Sequence, residues 1–225
     1  MFFRTQWRRW LLRHSPADLS LTRARILVVV EGPHDIEFLS RISVILSLQA
    51  SAVPNLAQME RRQQLVFIPF GGGDLSLWTI RLEALRLPEF HLYDRESGPE
   101  TEVRQQLART VNLRPGCQAV VTSKRSLENY LHPEAIREAC GVELSFGDDD
   151  HVADLIAARL VERQGGPPLA DSSRRAQVRR RNRVKKWLHT KAIDRMTPQR
   201  LAERDPQGEV ASWLQVIAAM AGGLA

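Results

Sequence analysis

Short apolar runs alternate with segments of helical periodicity along most of the chain. The run Ile26–Val30 is aliphatic at every position, a pattern typical of a parallel strand that is buried on both faces. Pro33 follows it and suits the first turn of a helix, in which Ile36 and Leu39 continue an apolar face at helical spacing. Three more runs are followed by helical patterns in the same way. The predicted strands are Ile26–Val30, Leu65–Phe70, Phe90–Tyr93 and Gln118–Thr122.

This alternation predicts an α/β fold with a Rossmann-like, mostly parallel sheet of about four strands flanked by helices. The glycines and prolines of Gln164–Pro168 mark a break, and the sequence beyond them has helical character. We predict a basic leader over residues 1–24, an α/β domain over 25–145, and a helical, Arg/Lys-rich C-terminal extension over 146–225. Helices are predicted to begin near Pro33, Leu75, Pro99, Pro133, Asp149, Val184 and Val210.

Composition excludes several classes of protein. The longest apolar stretches are far shorter than the ~18 to 20 residues that a membrane span needs. Cys117 and Cys140 are the only cysteines and lack CxxC spacing, which argues against a disulfide framework and a zinc cluster. The histidines from His34 to His189 show no metal-ligand spacing and receive no predicted role. The basic start of the chain lacks the apolar segment of a secretory signal, so we expect a cytoplasmic protein that does not contact membranes.

Positive charge is concentrated in two segments of the chain. Residues 1–25 carry six Arg and one Asp, and residues 174–186 carry eight Arg or Lys and no acid. Together these two segments carry a net charge of +13, whereas the whole chain carries +6. The remainder of the chain therefore carries −7. An acidic body with basic arms suits a protein that binds cations in a pocket and a polyanion along its flank, although a solvated helix face also explains one such run. The residues predicted to bind phosphates are Arg174, Arg175, Arg179, Arg180, Arg181, Arg183, Lys185 and Lys186.

Carboxylates recur shortly after the predicted strands. Glu31 follows the first strand, and Asp94 follows the third with Glu96 close behind it. Glu128 lies soon after the fourth strand, and Asp35 falls in the first turn of the first helix. Because the carboxyl ends of parallel strands line one crevice, the five side chains are predicted to share a rim, where oxygen ligands favour Mg²⁺ or Mn²⁺. Helix capping is the alternative for Asp35 and Glu128.

These motifs resemble a known domain. ILVVVEGPHDIEFL is similar to the first motif of the TOPRIM domain, in which a strand ends in Glu-Gly and an Asp follows on the helix. FIPFGGGDLSLW resembles the second strand and glycine turn, and HLYDRES stands where the family usually has Asp-x-Asp. Together with SKRSLENYL, the pattern most resembles the TOPRIM nuclease domain of the overcoming-lysogenization-defect (OLD) family. The resemblance covers residues 25–135 well and the remainder weakly.

The resemblance implies a nuclease that hydrolyses phosphodiester bonds with two divalent ions, Mg²⁺ or Mn²⁺. A lysine in the C-terminal part completes the site in such nucleases, and KKWLHTKAIDRM offers Lys191 first and Lys186 second. Glu31 is either a ligand or the general base. Gly72 and Gly73 either let the backbone approach a phosphate or form a plain flexible turn. The implied metal ligands are Glu31, Asp35, Asp94, Glu96 and Glu128, and the implied catalytic residues are Glu31 and Lys191.

Two departures from the family pattern keep other functions open. Glu96 stands where Asp is usual, which lengthens that ligand by one methylene. OLD proteins usually carry an ATPase, and this chain has no GxxxxGK[ST] loop, so the ATPase is absent or supplied by another chain. The leading hypothesis is a DNA endonuclease or nickase in phage defence or DNA repair. The alternatives are an inactive nucleic-acid-binding or docking module and a nuclease directed at RNA; the sequence leaves a homodimer open.

Overall fold

The computed structural model describes residues 24–49, 52–71, 77, 80–166 and 169–222 of the chain. A four-stranded, all-parallel sheet lies at its centre, which confirms the predicted fold class. The strands are β1 (Ile26–Val30), β2 (Leu65–Pro69), β3 (Glu89–Tyr93) and β4 (Cys117–Val121). Their order in the sheet is β2-β1-β3-β4, so β1 and β3 are neighbours at the centre.

Helices cover both faces of the sheet, and several begin with proline in their first turn, where its missing N–H has no helical partner to lose. The α-helices are α1 (Pro33–Ser47), α2 (Leu56–Arg61), α3 (Pro99–Asn112), α4 (Pro133–Cys140), α5 (Val152–Arg163), α6 (Arg174–Trp187), α7 (Pro198–Arg204) and α8 (Glu209–Gly222). A π-helix, Leu188–Ala192, continues α6. Short 3₁₀ turns cover Glu83–Leu85, Leu127–Tyr130, Leu169–Asp171 and Ile193–Arg195.

The sheet separates two apolar layers because successive strand residues point to opposite faces. Ile26, Val28 and Val30 face the larger layer, which residues of α1, α4, α5 and α8 fill. Leu27 and Val29 face a thinner layer beneath α3. All five residues of β1 are buried, as its unbroken apolar run predicts.

The C-terminal helices share the larger core with the sheet. Trp213, Leu214 and Ile217 of α8 are buried in the same cluster as Ile26 and Val28. The predicted extension therefore packs directly on the α/β domain, and α6 reaches the carboxyl edge of the sheet. None of the helices in the described residues is long and apolar enough to cross a membrane.

Some predictions concern positions that the structure does not describe. The basic leader is one of them, apart from its last residue, Ala24. Gly72 and Gly73 also lie outside the described residues, as does most of the first half of the helix predicted over Leu75–Leu87.

Candidate metal centre

Three carboxylates meet at the carboxyl edge of the sheet. Glu31 directly follows β1, and Asp94 and Glu96 follow β3, the neighbouring strand. One carboxylate oxygen of each residue lies within 4.8 Å of the other two. Neighbouring parallel strands end at the same edge, which is why residues far apart in the chain converge here. We call Glu31, Asp94 and Glu96 the acid cluster.

Backbone hydrogen bonds fix the loop that carries two of these carboxylates. The N–H of Leu127 donates to Asp94 Oδ1 at 3.1 Å. The N–H of Glu96 donates to the carbonyl of Arg125 at 2.9 Å, and that of Arg95 donates to Thr122 Oγ1 at 2.9 Å. Glu96 adopts φ 58°, in the left-handed region that costs a non-glycine residue about 1–2 kcal/mol. The loop is thus held by the segment after β4, in a conformation that turns the chain sharply between Asp94 and Glu96.

Burial makes two members of the acid cluster, Glu31 and Asp94, resist ionisation. Desolvation raises the pKa of Glu31 to about 7, with added repulsion from Asp35 and Glu96. The guanidinium of Arg104, whose Nη2 lies 3.1 Å from Glu31 Oε1, opposes this shift. Burial and repulsion from Glu31 also raise the pKa of Asp94 well above its ordinary value. Carboxylates packed this closely need protons or a cation to be stable, and an all-oxygen donor set fits a hard divalent ion such as Mg²⁺ or Mn²⁺.

Asp35 caps its own helix and also belongs to this rim. Its Oδ2 accepts a hydrogen bond from the N–H of Gly32 at 2.7 Å, so the capping interpretation holds for this residue. Burial raises the pKa of its carboxyl group, while His189 and Lys185 lower it and Glu128 raises it. Asp35 therefore stands between the acid cluster and a second charged group.

That second group is a carboxylate with its own cations. Glu128 is only 2% exposed, and its Oε1 lies 3.3 Å from Lys185 Nζ and 3.2 Å from His189 Nε2. Although burial by itself raises the pKa of Glu128, the charge of Lys185 and the contact with His189 hold it well below its ordinary value. We call Glu128, Lys185 and His189 the Glu128 triad.

Local structure positions each member of the triad. Glu128 sits on the 3₁₀ turn Leu127–Tyr130, whose start is fixed by the Ser126 N–H and hydroxyl, both donating to Asn129 Oδ1. Lys185 and His189 are four residues apart on the continuous helical stretch of α6 and the π-helix, so both face Glu128. The Nδ1 atom of His189 lies 2.7 Å from the carbonyl oxygen of His34.

The structure brings the predicted carboxylates together but leaves the two predicted catalytic lysines outside the site. Glu31, Asp94 and Glu96 come together as predicted, with Asp35 and Glu128 on the same rim. Lys191, the favoured catalytic lysine, is exposed on the π-helix, and Lys186, the second choice, is exposed on α6. The lysine that the structure brings to the carboxylates is Lys185, which the sequence assigns to phosphate binding.

Two residues at the rim have no predicted role in the sequence. Arg104 reaches Glu31 from α3, and His189 reaches Glu128 from the π-helix. A signal for His189 exists, because Lys185 and His189 stand at i and i+4 and so share a helical face. No comparable signal marks Arg104, which is one of several charged residues on an otherwise polar helix.

The basic helix α6 presents only part of its charge to solvent. Arg181 forms two hydrogen bonds to Asp154, and Arg180 donates to Ser172 Oγ. Lys185 is held in the Glu128 triad. Trp187 packs against the larger core. The exposed basic residues of this helix are Arg174, Arg175, Arg179, Arg183 and Lys186.

Comparison with known proteins supports the fold. No protein-family model matches the chain, and no curated protein gives a significant match. The structure is similar to the C-terminal region of the Burkholderia pseudomallei OLD protein, with a TM-score of 0.54 and 15% identity over 88% of this chain and 99% of that one. The C-terminal region of the Xanthomonas campestris pv. campestris OLD protein, phased with iodine, gives a TM-score of 0.47 and 14% identity over 88% and 96%. The predicted resemblance to this part of OLD proteins is thus confirmed. At 15% identity, the similarity shows the fold alone.

Proposed function

We propose that this protein is a divalent-metal-dependent nuclease that hydrolyses phosphodiester bonds of DNA. The observation that carries the proposal is the convergence of Glu31, Asp94 and Glu96 within 4.8 Å at the carboxyl edge of a parallel sheet. Burial and mutual repulsion oppose the ionisation of Glu31 and Asp94. A site that concentrates carboxylates in this way, at a cost to the ion-free protein, is suited to holding a cation.

The chemistry follows from charge. A carboxylate pocket alone repels a phosphodiester, and divalent ions held there would reverse that sign and would supply an activated water and charge stabilisation for the reaction. In this proposal the acid cluster holds the first ion, and Asp35 and Glu128 contribute to the second. Lys185 supplies a further positive charge for the phosphate in the transition state.

Helix α6 supports the choice of a nucleic acid as substrate. Its five exposed basic side chains lie on the same helix as Lys185, so a polyanion bound along the helix leads towards the rim. Each phosphate that such a side chain neutralises releases condensed counterions, which gives affinity without sequence preference. We propose DNA as the substrate, with an ATPase on another chain and a role in phage defence or DNA repair.

Plasmid nicking tests the enzyme directly. Purified protein is incubated with supercoiled plasmid and Mg²⁺ or Mn²⁺, and wild type is compared with Glu31→Gln and Asp94→Asn. Glu134→Gln is the matched control, because it removes an exposed carboxylate that pairs with Arg137 away from the rim. We expect nicking by wild type and the control only. Equal nicking by all four proteins, or none with either metal and candidate ATPase partners, contradicts the proposal.

An inactive nucleic-acid-binding module is the second candidate, and one observation favours it. Arg104 already places a cation 3.1 Å from Glu31, so part of the cluster's charge is compensated within the protein. This candidate predicts salt-sensitive DNA binding that is indifferent to EDTA and to Glu31→Gln, without cleavage. Competition between duplex DNA and folded RNA in the cleavage assay distinguishes an RNA-directed nuclease from both.

A further inference from the structure

We propose that His189 is a metal ligand: its Nε2 atom and Glu128 form a cation position that takes a transition-metal ion such as Mn²⁺ in preference to Mg²⁺. The inference rests on the proposed function, since it concerns the second ion of that site. It assigns an imidazole nitrogen to a rim that is otherwise lined by carboxylate oxygens.

The orientation of the His189 ring supports this role. Its Nδ1 lies 2.7 Å from the carbonyl oxygen of His34, and a carbonyl accepts only, so Nδ1 carries a proton and donates it. This is the arrangement in which metal-binding histidines are usually held, because Nε2 is then the atom that gives up its proton and offers a lone pair to the ion. The ring also packs against Phe38, with the centroids 5.7 Å apart. His189 is therefore fixed in one orientation.

The Nε2 atom lies 3.2 Å from Glu128 Oε1, in a contact whose angle falls outside hydrogen-bond geometry. His189 is 1% exposed and Glu128 is 2% exposed, and within the described residues neither Nε2 nor Oε1 has a partner of hydrogen-bond geometry. Lys185 compensates the charge of Glu128 in the ion-free protein, but a buried imidazole nitrogen without a well-aligned partner costs free energy unless something satisfies it. An ion between Nε2 and Oε1 satisfies both atoms.

The spacing of the two atoms agrees with a shared ion. They lie 3.2 Å apart. Two ligand atoms bound to one ion at about 2.1 Å each are separated by about 3.0 Å at a right angle and about 3.4 Å at the tetrahedral angle. Asp35 is the next carboxylate along the rim, and its charge acts on both His189 and Glu128.

Lys185 is the competitor for this position. Its Nζ lies 3.3 Å from the same Glu128 oxygen, so it neutralises the carboxylate when no ion is bound. Lys185 is 27% exposed, whereas His189 is 1% exposed and held by His34 and Phe38. Ion binding can therefore move the ammonium aside, and the imidazole stays.

The donor set determines the choice of metal. Imidazole nitrogen suits first-row transition metals, whereas Mg²⁺ is bound almost entirely through oxygen. The acid cluster has only carboxylate oxygens, so it accepts Mg²⁺ and Mn²⁺ alike. The position beside His189 is expected to take up Mn²⁺ first when both ions are present.

Pulsed electron paramagnetic resonance of bound Mn²⁺ tests the inference. Full-length protein without an affinity tag is loaded with less than one equivalent of Mn²⁺ in excess Mg²⁺, and electron spin echo modulation from ¹⁴N is recorded. Growth with ¹⁵N-labelled histidine should replace the ¹⁴N modulation with that of ¹⁵N. Bound Mn²⁺ without any histidine nitrogen coupling overturns the inference and leaves the nuclease proposal standing. Failure to bind Mn²⁺ at all overturns both.

Variants identify which histidine is responsible. His189→Gln should remove the nitrogen modulation and weaken Mn²⁺ binding by roughly tenfold or more, with a much smaller change for Mg²⁺, measured by titration calorimetry. His34→Gln keeps the backbone carbonyl that fixes His189 and should keep the modulation. Modulation that disappears in His34→Gln and persists in His189→Gln overturns the assignment. If His189→Gln does not fold, the labelled wild type still decides.

Discussion

The acid cluster and the Glu128 triad both contain buried carboxylates, but the charge of these carboxylates is compensated in opposite ways. Glu128 is buried with Lys185 and His189 against it, and its pKa lies well below the ordinary value. In the acid cluster Arg104 lies 3.1 Å from Glu31 and Arg125 lies 4.0 Å from Glu96, yet the pKa values of Glu31 and Asp94 are raised. In the ion-free protein the triad is thus compensated by its own residues, whereas the acid cluster is completed by protons or by an ion from outside.

This difference separates stability from function. Removing a carboxylate from the acid cluster relieves repulsion in the ion-free protein, whereas removing a member of the triad leaves a buried charge without its partner. Variants of the acid cluster should therefore lose activity without losing stability. Variants of the Glu128 triad should lose both.

Asp94→Asn is expected to have the largest effect. We expect cleavage to fall by at least about 10³-fold, because a cation position at the centre of the cluster loses its charge. The ion-free protein should become more stable, since the amide oxygen can still accept from Leu127 and the repulsion with Glu31 disappears. Plasmid cleavage rates and urea unfolding in EDTA check the two effects.

Asp205→Asn is the matched control for that change. Asp205 is also buried, and its two oxygens accept from the N–H groups of Glu209 and Val210 at the start of α8. An amide there loses one acceptor, which should cost about 1 kcal/mol and leave the cleavage rate unchanged. A loss of stability in Asp94→Asn that matches this control would remove the contrast between the two regions.

Lys185→Met should affect both activity and stability. Glu128 is left with His189 alone, so we expect a loss of about 1–3 kcal/mol in the free energy of unfolding at neutral pH. Loss of the ammonium beside the phosphate should slow cleavage by about 10²-fold. Lys191→Met, on an exposed residue, should change stability by less than about 0.5 kcal/mol. If Lys191→Met abolishes cleavage and Lys185→Met does not, the lysine named from the sequence is the correct one.

The placement of Lys185 beside the carboxylates is not predictable from the sequence. The strands and the acid cluster were predictable because Glu31 and Asp94 directly follow apolar runs, and strand ends in a parallel sheet share an edge. The position of Lys185 depends instead on how α6 packs over the sheet. Tertiary contacts set this packing, and the local pattern does not contain them.

Strand β3 shows a second limit of the same kind. Its apolar run from Phe90 predicts a buried strand, and the strand is buried. The run nevertheless contains His91, and the strand begins with Glu89, 1% exposed and paired with Arg114 and His91. A buried polar network of this kind requires partners from elsewhere in the fold, so hydrophobic patterning alone cannot reveal it.

The acid cluster and the Glu128 triad should also contribute differently to the pH dependence of stability. The raised pKa of Glu31 means that the folded, ion-free protein holds this proton more firmly than the unfolded chain does. The contribution of Glu31 to the free energy of unfolding should therefore fall as pH rises from about 4.5 towards 7, by on the order of 2 kcal/mol. Buried His34, whose pKa is lowered to about 4, acts in the opposite direction between about pH 4 and 6.5, so the comparison with a Glu31 variant isolates this contribution. The lowered pKa of Glu128 acts in the opposite direction and only below about 4.5. His189, with a raised pKa, loses its contribution only above about 6.5.

Urea unfolding in EDTA between about pH 4.5 and 6.5 measures this dependence. Glu31→Gln should gain stability relative to wild type as pH rises over that interval, because its side chain does not titrate and the other groups are shared by both proteins. Parallel curves for wild type and Glu31→Gln would mean that Glu31 is not protonated in the ion-free protein at these pH values.

The smallest expected effect distinguishes free from paired basic residues on α6. Arg183 is exposed, so Arg183→Ala should lower the slope of log affinity for DNA against log salt by about one. Lys185 already neutralises Glu128, and Lys185→Met should change that slope by less. Fluorescence anisotropy with labelled duplex DNA over a salt series gives both slopes in EDTA, where cleavage cannot interfere. Equal changes in the two slopes would mean that Lys185 contacts the backbone of the nucleic acid as a free cation, and that the Glu128 triad opens when DNA binds.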